Sequence, residues 1–99
     1  MRRVTKTALA DQDHREILEY LSDHSERAAE AFTAELADSV RLLAGQPRMG
    51  RQRDDLAAGV RSSVVGRYVV LYRFTDEELQ ILRIIHGSRD IPRLFGDPG

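Results

Sequence analysis

Part-way along this chain the spacing of its apolar residues changes, and that change dictates its architecture. From Thr7 to Ala44 the apolar residues recur at three- and four-residue intervals, and from Val60 to His86 at about two. The first spacing sets side chains along one face of an α-helix; the second alternates them across a strand. A chain of 99 residues buries only about two-thirds of its unfolded surface and supports one core. Helices and strands must therefore share it.

Thr7 is a candidate N-cap, followed by Leu9, Ile17, Leu18 and Leu21 on one stripe, with acids in the first turns where the helix dipole favours them. Asp23-His24-Ser25 breaks the pattern. Ser25 caps a second helix with the stripe Ala28, Ala29, Phe32, Leu36, Val40 and Leu43, and Gly45 and Pro47 end it. So short a break predicts an antiparallel helical hairpin. Residues 47–59 read as a polar, glycine-punctuated loop. Three β-like runs follow, VRSSVV at 60–65, YVVLYRFT at 68–75 and LQILRIIH at 79–86, with Gly66-Arg67 and Asp76-Glu77-Glu78 as hairpin turns. RRVTK at 2–6 is a short first strand resting on Val4. The expected fold is α+β: a short N-terminal strand, an antiparallel helical hairpin, then a three-stranded antiparallel meander (β-α-α-β-β-β). It forms a single domain over 1–95, with a flexible tail at 96–99.

The chain has no cysteine, which removes disulfides and thiolate metal sites and favours the cytoplasm. No apolar run of signal-peptide length follows the basic N-terminus MRRVTKTALA, and none reaches the ~18 residues of a membrane span. No membrane association is expected. His14 and His24 lack the i, i+4 spacing of a ligand pair and are expected at the surface; neither a metal nor another cofactor is expected. Gly50, Gly59 and Gly66 do not precede a helix as a phosphate loop requires, and are expected as turn residues with positive φ.

An even loop between the last two strands places Tyr68, Val70, Tyr72 and Phe74 on one face with Leu79, Ile81, Arg83 and Ile85. That face is expected to take the helices, with Tyr68 and Tyr72 in the core. The opposite face, Val69, Leu71, Arg73, Leu82, Ile84 and His86, is too apolar to stand fully in water. Either a partner covers it, or the sheet twists enough for the chain's own C-terminal residues to do so. Arg83 on the core face needs a carboxylate, and Glu16 is the expected one. His86 is expected to pack or hydrogen-bond. Charge is polarised: residues 11 to 38 carry nine acids against Arg15 and Arg27, a net of −7, and residues 41 to 73 carry seven arginines against Asp54 and Asp55, a net of +5. One surface is expected to be acidic and another basic.

Three stretches carry a family resemblance: the first-helix pattern around Glu16-Ile17, GRQRDDLAAGVRSSVVGRYVVLYRF at 50–74, and ILRIIHGSRDIPRLF at 81–95. In this order and spacing they resemble the ParE branch of the RelE/ParE toxin superfamily over nearly the whole chain. The resemblance implies the toxin of a type II toxin-antitoxin system, held inactive by a cognate antitoxin whose C-terminal segment wraps it in a hetero-oligomer. Many ParE-type toxins poison DNA gyrase, whereas RelE-type relatives cut messenger RNA on the ribosome. The nucleases use lysines on the second strand, an arginine on the third, an arginine just past the last strand and often a tyrosine in the C-terminal helix. Here only Arg89 matches; Val69 stands at the third-strand position, Phe95 at the tyrosine, and Val60 and Ser62 near the second-strand lysines. The leading expectation is therefore non-enzymatic inhibition of gyrase and so of replication. The alternatives are a ribosome-dependent endoribonuclease using Arg89, and a non-toxic binding module with the same fold. The basic meander and amphipathic tail nominate Arg61, Arg73, Arg89, Asp90, Arg93 and Phe95 to face the target. Leu18, Leu21, Phe32, Leu36, Leu71 and Leu82 are nominated to face the antitoxin.

Overall fold

The computed structural model describes residues 1–96. The expected tail at 96–99 lies outside them except for Gly96, which ends the last helix. In chain order the elements are β1 (Arg3–Lys6), α1 (Ala8–His24), α2 (Glu26–Gly45), a 3₁₀ turn (Pro47–Met49), β2 (Arg51–Gln52), β3 (Arg61–Val65), β4 (Tyr68–Phe74), β5 (Glu78–His86) and α3 (Ile91–Gly96). The strands form one sheet ordered β1-β5-β4-β3-β2, with β1 parallel to β5 and every other pair antiparallel. The expected meander is β3-β4-β5, and the N-terminal strand extends it on one side. The 47–59 loop is less featureless than its sequence: it holds the 3₁₀ turn and β2, two residues long and too short to carry an alternation.

The helix boundaries follow the expected caps. The Thr7 hydroxyl accepts from the Ala10 N–H at 3.0 Å, and the Ser25 hydroxyl from the Ala28 N–H at 3.2 Å. Ser25 also closes α1, donating its N–H to Leu21 O at 2.7 Å, so one residue serves both ends of the break. At the β3–β4 turn Gly66 has φ +60, and among the described residues no non-glycine residue has positive φ, the pattern of a type II′ hairpin.

The hairpin packs on one sheet face, burying Ala10, Ile17, Phe32, Leu36 and Leu43 against Val65, Tyr68, Val70, Tyr72, Leu79, Ile81 and Ile84. Tyr72 is fully buried, and its hydroxyl donates to Pro47 O at 2.6 Å and accepts from Gly50 N–H at 3.0 Å. This corrects the reading of Gly50, whose φ is −70. A Cβ there would collide with the Tyr72 hydroxyl and stand 2.8 Å from Ser62 O, so the glycine is needed for close approach. Gly59, at φ +81, does have positive φ.

The far face is also closed by this chain: of the two coverings expected, a partner or the chain's own C-terminal residues, the structure shows the second. Val60, Leu71, Ile85 and Ile91 form a second buried cluster, with Leu56 and Ala57 from the 53–60 loop and Leu94 and Phe95 from α3 packed on it. The face assignments shift as well. The β4–β5 register slips between Leu71/Arg83 and Tyr72/Ile81, leaving Leu82 as an extra residue. Such a bulge reverses the alternation beyond it. Ile84 and His86 therefore join the helix face opposite Val70 and Tyr68, and Ile85 joins the far face opposite Val69.

The bulge also changes the partner of Arg83. Its guanidinium lies at the edge of β5 and makes two hydrogen bonds to Asp13, at 2.8 and 3.1 Å, and one to Leu94 O at 3.0 Å. Asp13 replaces the expected Glu16, which is held by Gln12 at 3.0 Å. The same carboxylate accepts the Ile84 N–H at 2.9 Å, and the pair is only 12% and 16% exposed. Removing one partner of so enclosed a pair strands the other. Asp13→Ala is expected to lower unfolding free energy by about 3 kcal/mol, read by urea denaturation, with Asp13→Asn losing less. A loss below about 1 kcal/mol would show the pair to be no more than a surface contact.

Candidate functional site

Between the hairpin and the end of the sheet runs an open groove of about 640 Å³. One wall is the last turns of α1 (Tyr20, Leu21) and the first turns of α2 (Ala28, Ala31, Phe32, Glu35); the other is the β3–β4 turn (Gly66, Arg67, Tyr68) and the exit of β5 (His86, Ser88, Arg89). Three sequence choices open it. Ala28 and Ala31 leave a shallow floor where larger residues would fill it. Gly66 turns the hairpin without a side chain. Tyr20, off the apolar stripe of α1, is 58% exposed at its margin. A smaller recess of about 240 Å³ continues across the open edge of β5, lined by Asp13, Glu16, Arg83, Arg89 and Leu94 among others.

A series of rings runs from the recess beside β1 to the groove. His14 meets Phe32 at 6.3 Å, Phe32 meets Tyr68 at 5.1 Å and Tyr68 meets His86 at 5.2 Å, all edge to face, the arrangement ring quadrupoles favour. Burial raises the Tyr68 pKa, with nearby Tyr20 adding to the effect, so its hydroxyl stays protonated at neutral pH. His86 is held by its own turn: Nδ1 accepts from the Ser88 N–H at 3.1 Å and lies 2.7 Å from Ser88 Oγ. That places the proton of the neutral ring on Nε2. Neither Arg67 nor Arg89 forms an ion pair among the described residues. The groove thus combines an apolar floor with two unneutralised guanidinium groups at one end.

The structure divides the residues nominated from sequence. Arg89 lines the groove and the recess. Arg61 is engaged internally, donating to Arg48 O and Gly50 O at 3.2 and 2.8 Å. Arg73 is exposed but pairs with Gln80, whereas Tyr68 pairs with His86; five residues of strand separate these rows, roughly 17 Å. Arg73 and Arg89 therefore do not share one patch. Asp90 accepts from Arg93 N–H at 3.3 Å at the start of α3, Arg93 is exposed, and Phe95 packs on the far-face cluster. Of the apolar nominees, Leu21 lines the groove and Leu18 packs half-buried on the main core. Leu82 packs beneath the far-face layer. Phe32, Leu36 and Leu71 are 7%, 7% and 0% exposed; Leu71 is core and offers no surface, Phe32 shows only its groove edge, and Leu36 shows an edge to a separate recess beside β1. Tyr20, Ala28, Ala31 and Glu35 were not nominated. The signal for them was a tyrosine outside its stripe and two alanines on the shoulder of another.

His14 corrects a further expectation, since it is not a free surface residue. Its Nδ1 accepts from Lys6 Nζ at 3.0 Å, and its Nε2 is buried without a partner among the described residues. Burial and then the Lys6 charge hold its pKa below the usual 6.5, against a smaller opposing pull from Asp11. A folded pKa below the unfolded value gives a contribution that is full above about pH 6.5 and is lost as pH falls through the folded pKa. Melting temperature is expected to fall between about pH 7 and about pH 5, and less steeply in His14→Gln; identical slopes would remove His14 from the acid response.

With this geometry in place, comparison with known proteins is specific. The family model described as ParE toxin of type II toxin-antitoxin system, parDE, matches residues 4–91. Toxin ParE3 of Caulobacter vibrioides is 41% identical over 54 residues, 54% of each chain, so the match spans about half of that relative. Toxin ParE1 of the same organism is 33% identical over 88 residues, 87% of this chain and 88% of that one. A chain of the chromosomal ParDE TA system from P. aeruginosa superposes with a TM-score of 0.69 at 24% identity, covering 87% of this chain and 96% of its own, a likeness of fold.

Proposed function

Because the chain belongs to the ParE toxin family of type II toxin-antitoxin systems, we propose that it arrests growth by inhibiting DNA gyrase and is neutralised by a cognate antitoxin seated in the groove. The observation that carries the reading is the contrast between the faces. The far face is closed by α3 and the 53–60 loop, whereas the groove stays open over Leu21, Ala28, Ala31 and Phe32. An apolar floor of that width suits the apolar face of an amphipathic helix, and Arg67 and Arg89 at one end suit carboxylates on its polar side. Arg89, lining the groove, and Arg93, exposed on α3, are the residues assigned to the target. An antitoxin helix in the groove covers Arg89, so neutralisation and target contact exclude one another.

Support for gyrase over messenger RNA comes from the positions where the nucleases of the superfamily place catalytic groups. Val60 is fully buried and Val69 and Phe95 pack with it in the far-face cluster; none of the three transfers a proton. One arrangement favours the ribonuclease reading, since His86, Ser88 and Arg89 meet at the same end of the groove, and a histidine beside a guanidinium is a general acid-base pattern.

Purified protein is expected to inhibit gyrase supercoiling and raise cleaved DNA in vitro, and Arg89→Glu to weaken this at least tenfold, about 1.4 kcal/mol. Induction followed by transcript-end sequencing decides the alternative: codon-linked cuts that vanish in His86→Ala would replace gyrase inhibition with RNA cleavage. Ala31→Trp, at an exposed position that narrows the groove, is expected to leave growth arrest intact and abolish rescue by the antitoxin; full rescue would move the antitoxin to another surface.

A further inference from the structure

The arginines outside the groove are ordered. Arg51 lies opposite Ser62 and Ser62 opposite Leu71, which places Arg51 on the far face. Arg73 follows Leu71 by two residues on β4 and pairs with Gln80, itself opposite Thr5. Arg3, two residues before Thr5, pairs with Glu78. Each step from Arg51 to Arg73 to Arg3 crosses two strand spacings and advances two residues. With ~4.8 Å between strands and ~3.3 Å per residue, the three stand on one diagonal about 12 Å apart, spanning about 23 Å. All three are exposed, and none forms a side-chain hydrogen bond or an ion pair among the described residues. Arg53 is neutralised by Asp55 at 3.0 Å, and Glu78, beside Arg3, accepts the Thr5 hydroxyl at 3.0 Å.

We infer that this diagonal of Arg51, Arg73 and Arg3 is a docking surface for the phosphate backbone of duplex DNA. Three observations select that occupant. A protein interface centres on a desolvated apolar anchor; among the described residues the exposed large apolar side chains nearest the diagonal, Met1 and Met49, stand beside its ends at Arg3 and Arg51, and Val64 lies toward the other end of the sheet, so no such anchor sits at its middle. A single strand calls for aromatic side chains on which bases stack; Phe95 is packed on the far-face cluster, and Phe74 pairs with Leu79 on the helix face, flanked by Arg2 and Arg48. A duplex presents regularly spaced charge along a line, and the diagonal covers about two-thirds of its ~34 Å turn. The sheet also separates the chain's charges, with nine acids and three arginines on the helical hairpin behind it. A polyanion is repelled from the hairpin side, and the acids near the diagonal are Asp55, within electrostatic reach of Arg51, and Glu78, beside Arg3. The inference extends the gyrase reading, whose target works on DNA, by giving the toxin its own grip on that DNA.

The test omits gyrase. Fluorescence anisotropy of a labelled duplex of roughly 20 base pairs is followed as salt rises from about 50 to about 200 mM. Three phosphate contacts give a log–log slope of about −2.7 and about fortyfold weaker binding over that range. Arg3→Gln, Arg51→Gln and Arg73→Gln are each expected to reduce the slope by about 0.9, the triple variant to abolish salt-dependent binding, and Arg27→Gln on α2 to change nothing. Each single variant is checked for an unchanged circular dichroism spectrum. Absence of duplex binding, a slope unaltered in the triple variant, or tighter binding to single-stranded DNA or duplex RNA overturns the inference. So does loss of gyrase binding in the triple variant without any DNA binding, which assigns the diagonal to a protein. A negative result here leaves supercoiling inhibition standing, and the converse also holds.

Discussion

Where β1 stops at Lys6, α1 takes its place beside β5. The Thr7 hydroxyl donates to Leu82 O at 2.8 Å and the Asp13 carboxylate accepts from Ile84 N–H, so backbone groups that a longer strand would have bonded are satisfied by side chains of the following helix. Unpaired backbone groups in a half-buried edge are costly. One carboxylate also binds the guanidinium that holds the Leu94 carbonyl. Asp13 thereby fixes the hairpin, the last strand and the C-terminal helix in one arrangement, and with them both the groove on one side and the closed cluster on the other.

That arrangement gives the two faces different chemistry. The hairpin side offers apolar surface between helices, suited to burial of another helix. The far side offers charge at its margin over a core sealed by α3. Under the proposed function this separation lets silencing by one macromolecule and engagement of another use different surfaces, each contact with its own physical basis. Hydrophobic burial is nearly independent of salt, whereas guanidinium–phosphate contact is strongly dependent on it.

Much of the fold was legible in the sequence because it rests on local rules. Thr7 and Ser25 cap the helices their spacing suggested, the stripe Phe32, Leu36 and Leu43 is buried, and the Gly66 turn is the tight hairpin its dipeptide indicated. What stayed hidden depends on distant partners. The bulge at Leu82 has no composition signal, since Leu-Arg-Ile-Ile continues the strand pattern without a glycine; yet it moved Ile84, Ile85 and His86 to the opposite faces and gave Arg83 to Asp13 in place of Glu16. β2 exists because Ser62 and Arg61 are there to pair with it. The groove was missed for another reason: alanines mark it by the volume they do not fill.

The parallel pairing of β1 with β5 joins residues as far apart as Arg3 and Glu78, about three-quarters of the chain. Contacts of such long range form late. As the polypeptide leaves the ribosome, the hairpin can coil early, but its apolar stripe has no sheet to rest on until the final third has emerged. A product truncated before β5 would lack both the strand that joins β1 to β4 and the exit on which Arg89 sits. Translation must therefore run nearly to completion before the whole fold exists, and an interrupted message yields an incomplete chain open to proteases.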